Sequence, residues 1–306
     1  MFEKIVVVTR KTRLEGLIER FNSRAQAKFY LDHSGGDFAD YEREDATYRR
    51  AVDTVRRSLD VGLKVHVAER SLVPTMLFAP SDLIVAVGQD GLVANTAKYV
   101  GEQPIVAVNP DPERFDGILL RYSPSELRAA VTSLLDGRAK VRKVTLAEAT
   151  LDDGQRLLAF NDLFIGARTH VSARYRIAFG QGSEPHSSSG VLVSTGAGST
   201  GWMSSIFNMT SGICRFAGGS EPHSVTMRWE DRQLLWAVRE PFRSRHSSAD
   251  LVAGILRDND ELVIGSQMPT QGVIFSDGIE SDFLEFNSGS IARFSVSKQR
   301  AKLVVG

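Results

Sequence analysis

The chain has 306 residues, 42% hydrophobic and 24% charged, which are ordinary values for globular proteins able to bury a sizeable core. Its 37 basic and 37 acidic side chains balance, so charge gives no reason to expect nucleic acid or an acidic membrane as partner. The single cysteine, Cys214, excludes an intrachain disulfide and a cysteine-based zinc site. No apolar run approaches the ~20 residues that span a bilayer. With no leader-like segment before the strand-like Ile5–Val8, we expect a reducing, cytoplasmic location.

The N-terminal part of the chain alternates between strand-like and helix-like segments. Short β-branched runs are typical of buried parallel strands, and apolar residues spaced by three and four predict amphipathic helices. This order predicts an α/β domain with an open, mostly parallel sheet and helices on both faces. The predicted strands are 5–9, 64–68, 83–87 and 104–109, and the clearest predicted helices are 42–60 and 92–100.

A further helix is predicted from Pro124 to Asp136, with Ser123 as N-cap, Glu126 in a capping box and Gly137 as the stop. Beyond it, short alternating segments separated by Gly, Ser, Asp and Asn predict a β-rich domain. We therefore expect an α/β nucleotide-binding domain over 1–125 and a β-rich domain over 126–306. The predicted strands of the second domain are 141–146, 157–165, 172–179, 234–238, 261–264 and 292–296.

One short repeat stands out. Ser-Glu-Pro-His-Ser occurs at 183–187 and again at 220–224. Two copies of five residues do not make a repeat architecture. We interpret both as proline-containing turns, with a metal site formed by His186 and His223 as the minor alternative.

The first segment that suggests chemistry is Val87–Leu92, between a predicted strand and a predicted helix. Ligands of open α/β sheets bind at the carboxyl ends of the strands. Gly88 and Gly91 would let the backbone approach a phosphate closely. An acidic residue there repels phosphate unless a metal or a reacting hydroxyl intervenes, so Asp90 is a candidate to deprotonate or orient a hydroxyl. An ordinary Asp-Gly turn is the alternative.

The second segment, 192–202, has three glycines, four hydroxyls and Trp202. Backbone N–H groups and hydroxyls suit a phosphate or ribose, and the indole offers a stacking face. The segment is not a P-loop, because the Gly-Lys-Ser/Thr ending is absent. The alternative is a Gly/Ser-rich loop with Trp202 in the core.

Three weaker segments remain. Asn161-Asp162 interrupts an apolar strand, and such a polar pair needs partners, which a ligand amide or ribose would supply. A bulge or strand-end turn explains the pair equally simply. Asp277-Gly278 is more typical of a hairpin turn. Arg239-Glu240-Pro241 and 243–246 suit phosphate, although an exposed arginine-rich turn is the simpler interpretation.

Taken in order, these segments resemble the NAD kinase family, which phosphorylates the 2′-hydroxyl of the adenosine ribose of NAD. The family's acidic Gly-rich loop, Asn-Glu pair, Thr-Gly-x-Gly-Ser/Thr loop and late Asp-Gly all have counterparts, over nearly the whole chain. The sequence looks closest to the mitochondrial-type branch, through 8–13, Val108–Arg114 and Arg239-Glu240-Pro241.

The resemblance implies that Asp90 contacts the accepting hydroxyl, between Gly88 and Gly91, and that Asn161 and Asp162 contact the adenosine portion of NAD. It implies an α/β N-terminal domain and a β-rich, NAD-binding C-terminal domain. It also implies ATP as phosphoryl donor, Mg²⁺ or another divalent cation, and a homodimer or homotetramer, with no nucleic acid or membrane as partner. The other residues implied to bind nucleotide are Thr195, Gly198, Ser199, Thr200 and Trp202.

The sequence departs from the family pattern at three positions. Gln89 replaces the second glycine of the acidic loop, Leu92 replaces its threonine, and Asp162 is shorter than the usual Glu. We expect a side chain at 89 to crowd a phosphate or demand another backbone angle, and Leu92 removes a hydroxyl. Besides an NAD kinase, the sequence therefore leaves open a nucleotide-binding protein that has lost catalysis, or a kinase of another hydroxyl acceptor. The balanced charge and the lack of a membrane-binding amphipathic stretch argue against a lipid acceptor and leave a polyol.

Overall fold

The computed structural model describes residues 2–220 and 225–306, and the chain divides into two compact units. The first comprises Met1–Arg142 with Lys302–Gly306, and the second comprises Lys143–Ala301. The helix predicted after Ser123 lies in the first unit, beyond the domain boundary that the sequence suggested at residue 125. Within the described ranges, no helix is long and apolar enough to cross a bilayer.

The first unit is an α/β unit around a parallel sheet. The elements of this unit are β1 (Lys4–Thr9), α1 (Arg13–Phe21), α2 (Arg24–Ser34), α3 (Phe38–Ser58), β2 (Lys64–Glu69), β3 (Asp82–Val87), α4 (Asp90–Ala97), β4 (Pro104–Val108) and α5 (Leu127–Leu135). A 3₁₀ turn at Arg70–Thr75 follows β2. The sheet order is β2-β1-β3-β4, and Leu303 near the C-terminus pairs in parallel with Ile105.

Both faces of this sheet are covered. Val85 of β3 shares a core with Val55 of α3 and Val131 of α5. Successive side chains of a strand point to opposite faces, so Ile84 and Ala86, which are also fully buried, face the other side. Helix α4 contacts β3 and β4. A strand buried on both faces must be apolar throughout, which is why the run at 83–87 was predictable, and the expected parallel α/β fold is confirmed.

The second unit is β-rich and antiparallel. The elements of this unit are β5 (Val141–Leu151), β6 (Arg156–Ala159), β7 (Asp162–Ala167), β8 (Ala173–Phe179), β9 (Gly182–Ser188), β10 (Val191–Ser194), α6 (Trp202–Phe216), β11 (Gln233–Val238), β12 (Ala253–Arg257), β13 (Leu262–Ser266), β14 (Gly272–Ser276), β15 (Ile279–Glu285) and β16 (Ile291–Val304). One sheet has the order β12-β11-β10-β7-β14-β15, and the other includes β16-β13-β8-β9 with β5 and β6. A 3₁₀ turn at Gly198–Thr200 precedes α6.

The two sheets of the second unit share one core. Leu163 and Ile165 of β7 meet Tyr175 and Ile177 of β8 in a single buried cluster. Leu192 of β10 belongs instead to the cluster that α6 covers. The alternation of inward and outward side chains thus gives the six-stranded sheet a core face and a helix-covered face. The predicted β-rich second half is confirmed.

The first Ser-Glu-Pro-His-Ser copy is not a turn. Residues 183–187 lie within β9, where His186 pairs with Tyr175 of β8. The turn prediction was wrong because β9 is an edge strand, where Pro185 removes no ladder hydrogen bond that the fold needs. In the second copy, residues 221–224, including His223, lie outside the described residues. Among the residues described, no group of three or more His, Cys, Asp or Glu side chains could hold a metal ion.

Candidate functional site

The acidic loop of the first unit begins where β3 ends. Gly88 donates its N–H to the carbonyl of Val108, the last residue of β4, at 3.2 Å. A Cβ at position 88 would lie 2.7 Å from Cδ2 of Leu92, so a side chain there would require the buried Leu92 to shift. At Gly91 an added Cβ would meet no described atom within 4 Å. The first glycine is therefore favoured by packing, and the second leaves open space at the start of α4.

The two departures in this loop have different structural meanings. Gln89 is the exposed N-cap residue of α4, with φ −108° and ψ 166°. That is extended backbone open to any residue, so the expectation of an unusual backbone angle at 89 was wrong. Leu92 is 3% exposed and belongs to the core. Leu92 therefore replaces a hydroxyl with packing against Gly88.

Asp90 is half-buried and held by the backbone of a distant segment. Its Oδ1 accepts a hydrogen bond from the N–H of Leu119 at 2.8 Å, and its Oδ2 accepts one from Ile118 at 3.2 Å. A carboxylate offers about four lone-pair sites, so each oxygen keeps capacity for another donor. The carboxylate is fixed in orientation and still able to receive a hydroxyl.

The segment that carries these two amides is itself ordered by Asn109. The side chain of Asn109 donates to the carbonyl of Phe115 at 2.9 Å and accepts from the N–H of Asp111 at 3.1 Å. Gly117 has φ +62°, and a Cβ there would lie 2.8 Å from Nδ2 of Asn109. The Val-Asn-Pro-Asp-Pro-Glu-Arg motif thus begins the loop that positions Asp90.

In the second unit, Asn161 lies in the short break between β6 and β7, and Asp162 is the first residue of β7. Asp277 accepts hydrogen bonds from the N–H groups of Phe160 (3.1 Å), Asn161 (2.6 Å) and Asp162 (3.3 Å). Thr195 donates its hydroxyl to the carbonyl of Phe160 at 2.6 Å. The backbone of the pair is therefore fixed from two sides, which leaves the two side chains as the groups available to a ligand.

The Gly-rich segment approaches this pair very closely. A Cβ at Gly198 would lie 2.4 Å from the carbonyl oxygen of Asn161 and 2.7 Å from Oδ1 of Asp162. The Thr195 hydroxyl accepts from the N–H groups of Ala197 and Gly198 at 3.1 and 3.2 Å. Thr195 and Gly198 are thus structural parts of the loop, and glycine at 198 is a steric requirement.

The other predicted residues of this segment differ in accessibility. Ser199 is 6% exposed and donates to the carbonyl of Gly196 at 2.8 Å, so its hydroxyl is engaged within the loop. Thr200 is exposed, and Trp202 is half-buried at the start of α6. Of the three, Thr200 and Trp202 are the ones accessible to a ligand.

Asp162 has an altered ionisation. The pKa of its carboxyl is raised from 3.8 to about 7: burial is the main cause, a hydrogen bond with Ser194 opposes it, and the nearby carboxylate of Asp277 adds to the rise. Its Oδ1 is buried and has no hydrogen-bond partner among the described residues. A buried acceptor without a donor is costly, and functional sites are where such groups concentrate. The orphaned oxygen suits a ligand hydroxyl or amide.

An aromatic cavity lies in the same unit. Trp202 stacks on Phe164 with a centroid distance of 5.5 Å and an interplanar angle of 9°, and Phe275 lies 4.8 Å from Phe164. The guanidinium of Arg239 lies 5.2 Å from the Trp202 ring centroid. These four side chains line a cavity of about 340 Å³. Arg239 is therefore half-buried beside the aromatic rings, whereas residues 240–246 are exposed, as the interpretation of an exposed turn predicted.

The structure thus assembles two groups of sequence-predicted residues, one in each unit. Gly88, Asp90 and Gly91 form the acidic loop of the first unit. Asn161, Asp162, Thr195, Gly198, Ser199, Thr200 and Trp202 belong to the second. Sequence reasoning missed Phe164 and Phe275, because aromatic residues on strands usually signal core. It also missed the role of Asp277 in holding the Asn-Asp pair, because no local pattern signals that long-range contact.

Comparison with curated proteins confirms the resemblance to NAD kinases. The chain is 24% identical to rat mitochondrial NAD kinase 2 in an alignment that covers 97% of this chain and 85% of that protein. It is 27% identical to the NAD kinase of Chlorobaculum tepidum over 161 residues, 48% of this chain. That match covers only 53% of the Chlorobaculum protein, about half its length. The chain matches no protein-family model.

Two solved structures share the fold. One is yeast NADH kinase complexed with NADH, with a TM-score of 0.59, 17% identity and coverage of 100% of this chain and 84% of that one. The other is an NAD kinase from Archaeoglobus fulgidus in complex with ATP, with a TM-score of 0.56, 15% identity and coverage of 98% and 93%. The fold predicted from the motifs is therefore the fold of these structures.

Proposed function

We propose that the chain is an ATP-dependent NAD kinase, which transfers a phosphoryl group from ATP to the 2′-hydroxyl of NAD and gives NADP. The observation that carries the proposal is the carboxylate of Asp90, which begins α4 just beyond the carboxyl end of β3 and accepts hydrogen bonds from two backbone amides. The similarity to NAD kinases supports it.

In this proposal Asp90 accepts a hydrogen bond from the ribose 2′-hydroxyl and orients or deprotonates it. Phosphoryl transfer relies mainly on positioning and charge neutralisation. A carboxylate of Asp90 that is already oriented therefore lowers the barrier, because it need not move to reach the hydroxyl. Gly91, where an added Cβ would meet no described atom within 4 Å, leaves the start of α4 open to the nucleotide, and Gly88 packs beneath Leu92 and shapes the loop. The orientation of Asp90 in turn depends on the 109–122 segment.

We assign the binding of NAD to the second group of residues. The side chains of Asn161 and Asp162 contact the adenosine portion, with the orphaned Oδ1 of Asp162 accepting from a ligand hydroxyl or amide. Thr195, Gly198 and Ser199 shape the loop, and Thr200 contributes an exposed hydroxyl. Trp202 lies on the nicotinamide side, where its stacking on Phe164 holds the indole in one orientation.

The donor ATP is supported by the Archaeoglobus relative, whose structure contains it. Phosphoryl transfer also calls for Mg²⁺ or another divalent cation, which would neutralise charge on the phosphates. Magnesium at such sites is held by one or two carboxylates together with the substrate phosphates and water. No group of three or more His, Cys, Asp or Glu side chains among the described residues could hold a metal ion, and in this proposal the cation arrives with the nucleotide and the carboxylate of Asp90 would be available to it.

The alternative of a nucleotide-binding protein without catalysis rested on Gln89 and Leu92. Leu92 is a core residue, and Gln89 has an unstrained backbone, so neither distorts the loop that carries Asp90. These observations favour an active kinase. We further propose a homodimer or homotetramer, to be checked by light scattering, and a cytoplasmic location, which a single cysteine suits.

The test is NADP formation by the purified protein with NAD, ATP and Mg²⁺, read by a coupled NADP-specific dehydrogenase, with Asp90→Asn alongside. We expect product from the wild type and nearly none from the variant, with NAD binding retained by calorimetry. Near-full activity of Asp90→Asn would refute the role of Asp90. NAD binding without product from the wild type would favour the degenerate binder, and no NAD binding would point to another hydroxyl acceptor.

A further inference from the structure

In the parallel sheet of the first unit, the direction in which successive strands are added reverses between β1 and β3. The sequence motifs did not assign a function to this point of the sheet. In the order β2-β1-β3-β4, the chain leaves β1 towards β2 on one side and leaves β3 towards β4 on the other. Open α/β sheets bind ligands outside the carboxyl ends of the strands at such a reversal. The residues that follow those two ends are Arg10, after β1, and Gly88, after β3.

Arg10 and Gly88 are neighbours. Cδ of Arg10 lies 3.7 Å from the position that a Cβ on Gly88 would occupy. The Arg10 side chain is only 11% exposed, which is unusual for an arginine. A buried cation thus stands beside the glycine that opens the acidic loop.

The surroundings of Arg10 hold it in place. Its Nη2 donates to Oε1 of Glu44 at 2.8 Å, and its Nη1 donates to the carbonyl of Lys11 at 2.9 Å. The Tyr48 hydroxyl accepts from the N–H of Arg10 at 2.8 Å and donates to the carbonyl of Val87 at 2.9 Å. Tyr48 therefore ties the end of β1 to the end of β3, on the two sides of the crevice.

One donor of this fixed guanidinium is left over. Nε of Arg10 is buried and has no hydrogen-bond partner among the described residues. An unmade hydrogen bond of a buried charged group is expensive, so it calls for an explanation such as a ligand. Glu44 does not neutralise Arg10 alone, because it also pairs with Arg13. Arg13 has a second carboxylate partner in Asp40, so the Nε–H of Arg10, unpartnered among the described residues, is the feature that points to a ligand.

We propose that Arg10 binds a phosphate group of ATP through its Nε–H, in the crevice between the ends of β1 and β3. This proposal rests on the kinase function proposed above, which is the reason for taking the phosphate to be that of ATP. Guanidinium is suited to phosphate because its donors form a rigid fork. Glu44 and Tyr48 act as positioning residues that hold the fork in place before the ligand arrives.

The test is calorimetric titration of the full chain with Mg-ATP, with inorganic tripolyphosphate and with NAD. Arg10→Gln keeps a polar side chain and removes the charge. Since a hydrogen bond to a charged group contributes about 1.5–3 kcal/mol, we expect affinity for ATP and tripolyphosphate to fall about 10- to 100-fold. The affinity for NAD should stay within about threefold of wild type, because the residues proposed to bind NAD lie in the second unit. Arg57→Ala, an exposed arginine of α3, is the matched control and keeps wild-type affinities.

Circular dichroism and thermal unfolding check that each variant is folded. If Arg10→Gln does not fold, Arg10→Lys keeps the charge beside Glu44 but lacks the Nε–H, and it should still lose about tenfold in affinity for tripolyphosphate. A folded Arg10→Gln or Arg10→Lys with wild-type affinity for both phosphate ligands would overturn the proposal, as would a wild type that binds neither. Phosphate binding that depends on Arg10 in a protein that makes no NADP would reject the kinase function and leave this site standing.

Discussion

The N–H of Asn161 donates a hydrogen bond to Oδ1 of Asp277 at 2.6 Å, so the Asp277 carboxylate fixes the backbone of Asn161. Asp277 has φ +53° and Gly278 has φ +70°, the pair of left-handed residues that a type I′ hairpin turn requires. The hairpin between β14 and β15, predicted from Asp-Gly, is confirmed. The same turn points its carboxylate at the break between β6 and β7, so it fixes the Asn-Asp pair as well as reversing the chain.

Removing that carboxylate should weaken NAD binding. Asp277→Gly keeps a residue that tolerates positive φ and deletes only the hydrogen-bond acceptors, so backbone strain does not confuse the result. We expect a loss of about 2 kcal/mol in the free energy of unfolding, because three N–H groups lose a charged acceptor. The affinity for NAD should fall by about tenfold or more.

Asp277→Asn provides the graded control, since it keeps one acceptor oxygen and asparagine also tolerates this backbone region. Urea denaturation and NAD titration should place it between the wild type and Asp277→Gly. If Asp277→Gly matched the wild type in both stability and NAD affinity, the hydrogen bonds from residues 160–162 to Asp277 would contribute nothing measurable to either.

Gly198 is the second test of the same loop. In Gly198→Ala the new methyl would lie 2.4 Å from the carbonyl oxygen of Asn161, so the two segments must separate. We expect a loss of about 1–3 kcal/mol in stability, as for other overpacked sites, together with weaker NAD binding. The control is Gly212→Ala on α6, where a Cβ meets no described atom within 4 Å and helix propensity favours alanine. Differential scanning calorimetry should show a lower Tm for the first variant only.

Asp162 should make stability depend on pH. Its folded-state pKa of about 7 lies above the ordinary 3.8, mainly through burial. The native state therefore binds the proton more tightly than the unfolded state, and the free energy of unfolding falls as pH rises from about 3.8 to 7. Asp162→Asn carries no charge, so its decline over this range should be smaller. Urea denaturation across this pH range measures the free energy of unfolding, and Asp32→Asn on the exposed side of α2 is the control. Parallel curves for wild type and Asp162→Asn would contradict the assignment.

The parts of the fold that sequence predicted well are those dictated by local periodicity. The run at 83–87 is apolar throughout because β3 is buried on both faces, and Asp-Gly at 277–278 fits only a few turn types. Residues 183–187 were misjudged because proline usually breaks a strand, and its tolerance in β9 depends on the edge position, which is a property of the whole sheet.

The candidate site was predictable as a set of residues but not as an arrangement. Asp90 stands out as an acidic residue between two glycines after a predicted strand, and Asn161 and Asp162 stand out because they interrupt an apolar run. Their partners do not stand out, because the amides of Ile118 and Leu119 and the carboxylate of Asp277 reach them across long stretches of chain. Such contacts depend on tertiary packing, and no local sequence pattern predicts them.

Restoring the family residues of the acidic loop should not raise activity. Leu92→Thr removes a side chain that is 3% exposed and buries a hydroxyl, so we expect a loss of about 2–3 kcal/mol in stability and no gain in kcat/KM. Gln89→Gly should cost at most about 1 kcal/mol, because Gln89 already has a backbone conformation that any residue adopts. Its kcat/KM for NADP formation should stay near that of the wild type, since the side chain is exposed. A marked rise for Gln89→Gly alone would show that this side chain crowds the phosphate. A rise for Leu92→Thr would show that a hydroxyl at this position serves the phosphoryl transfer despite its place in the core.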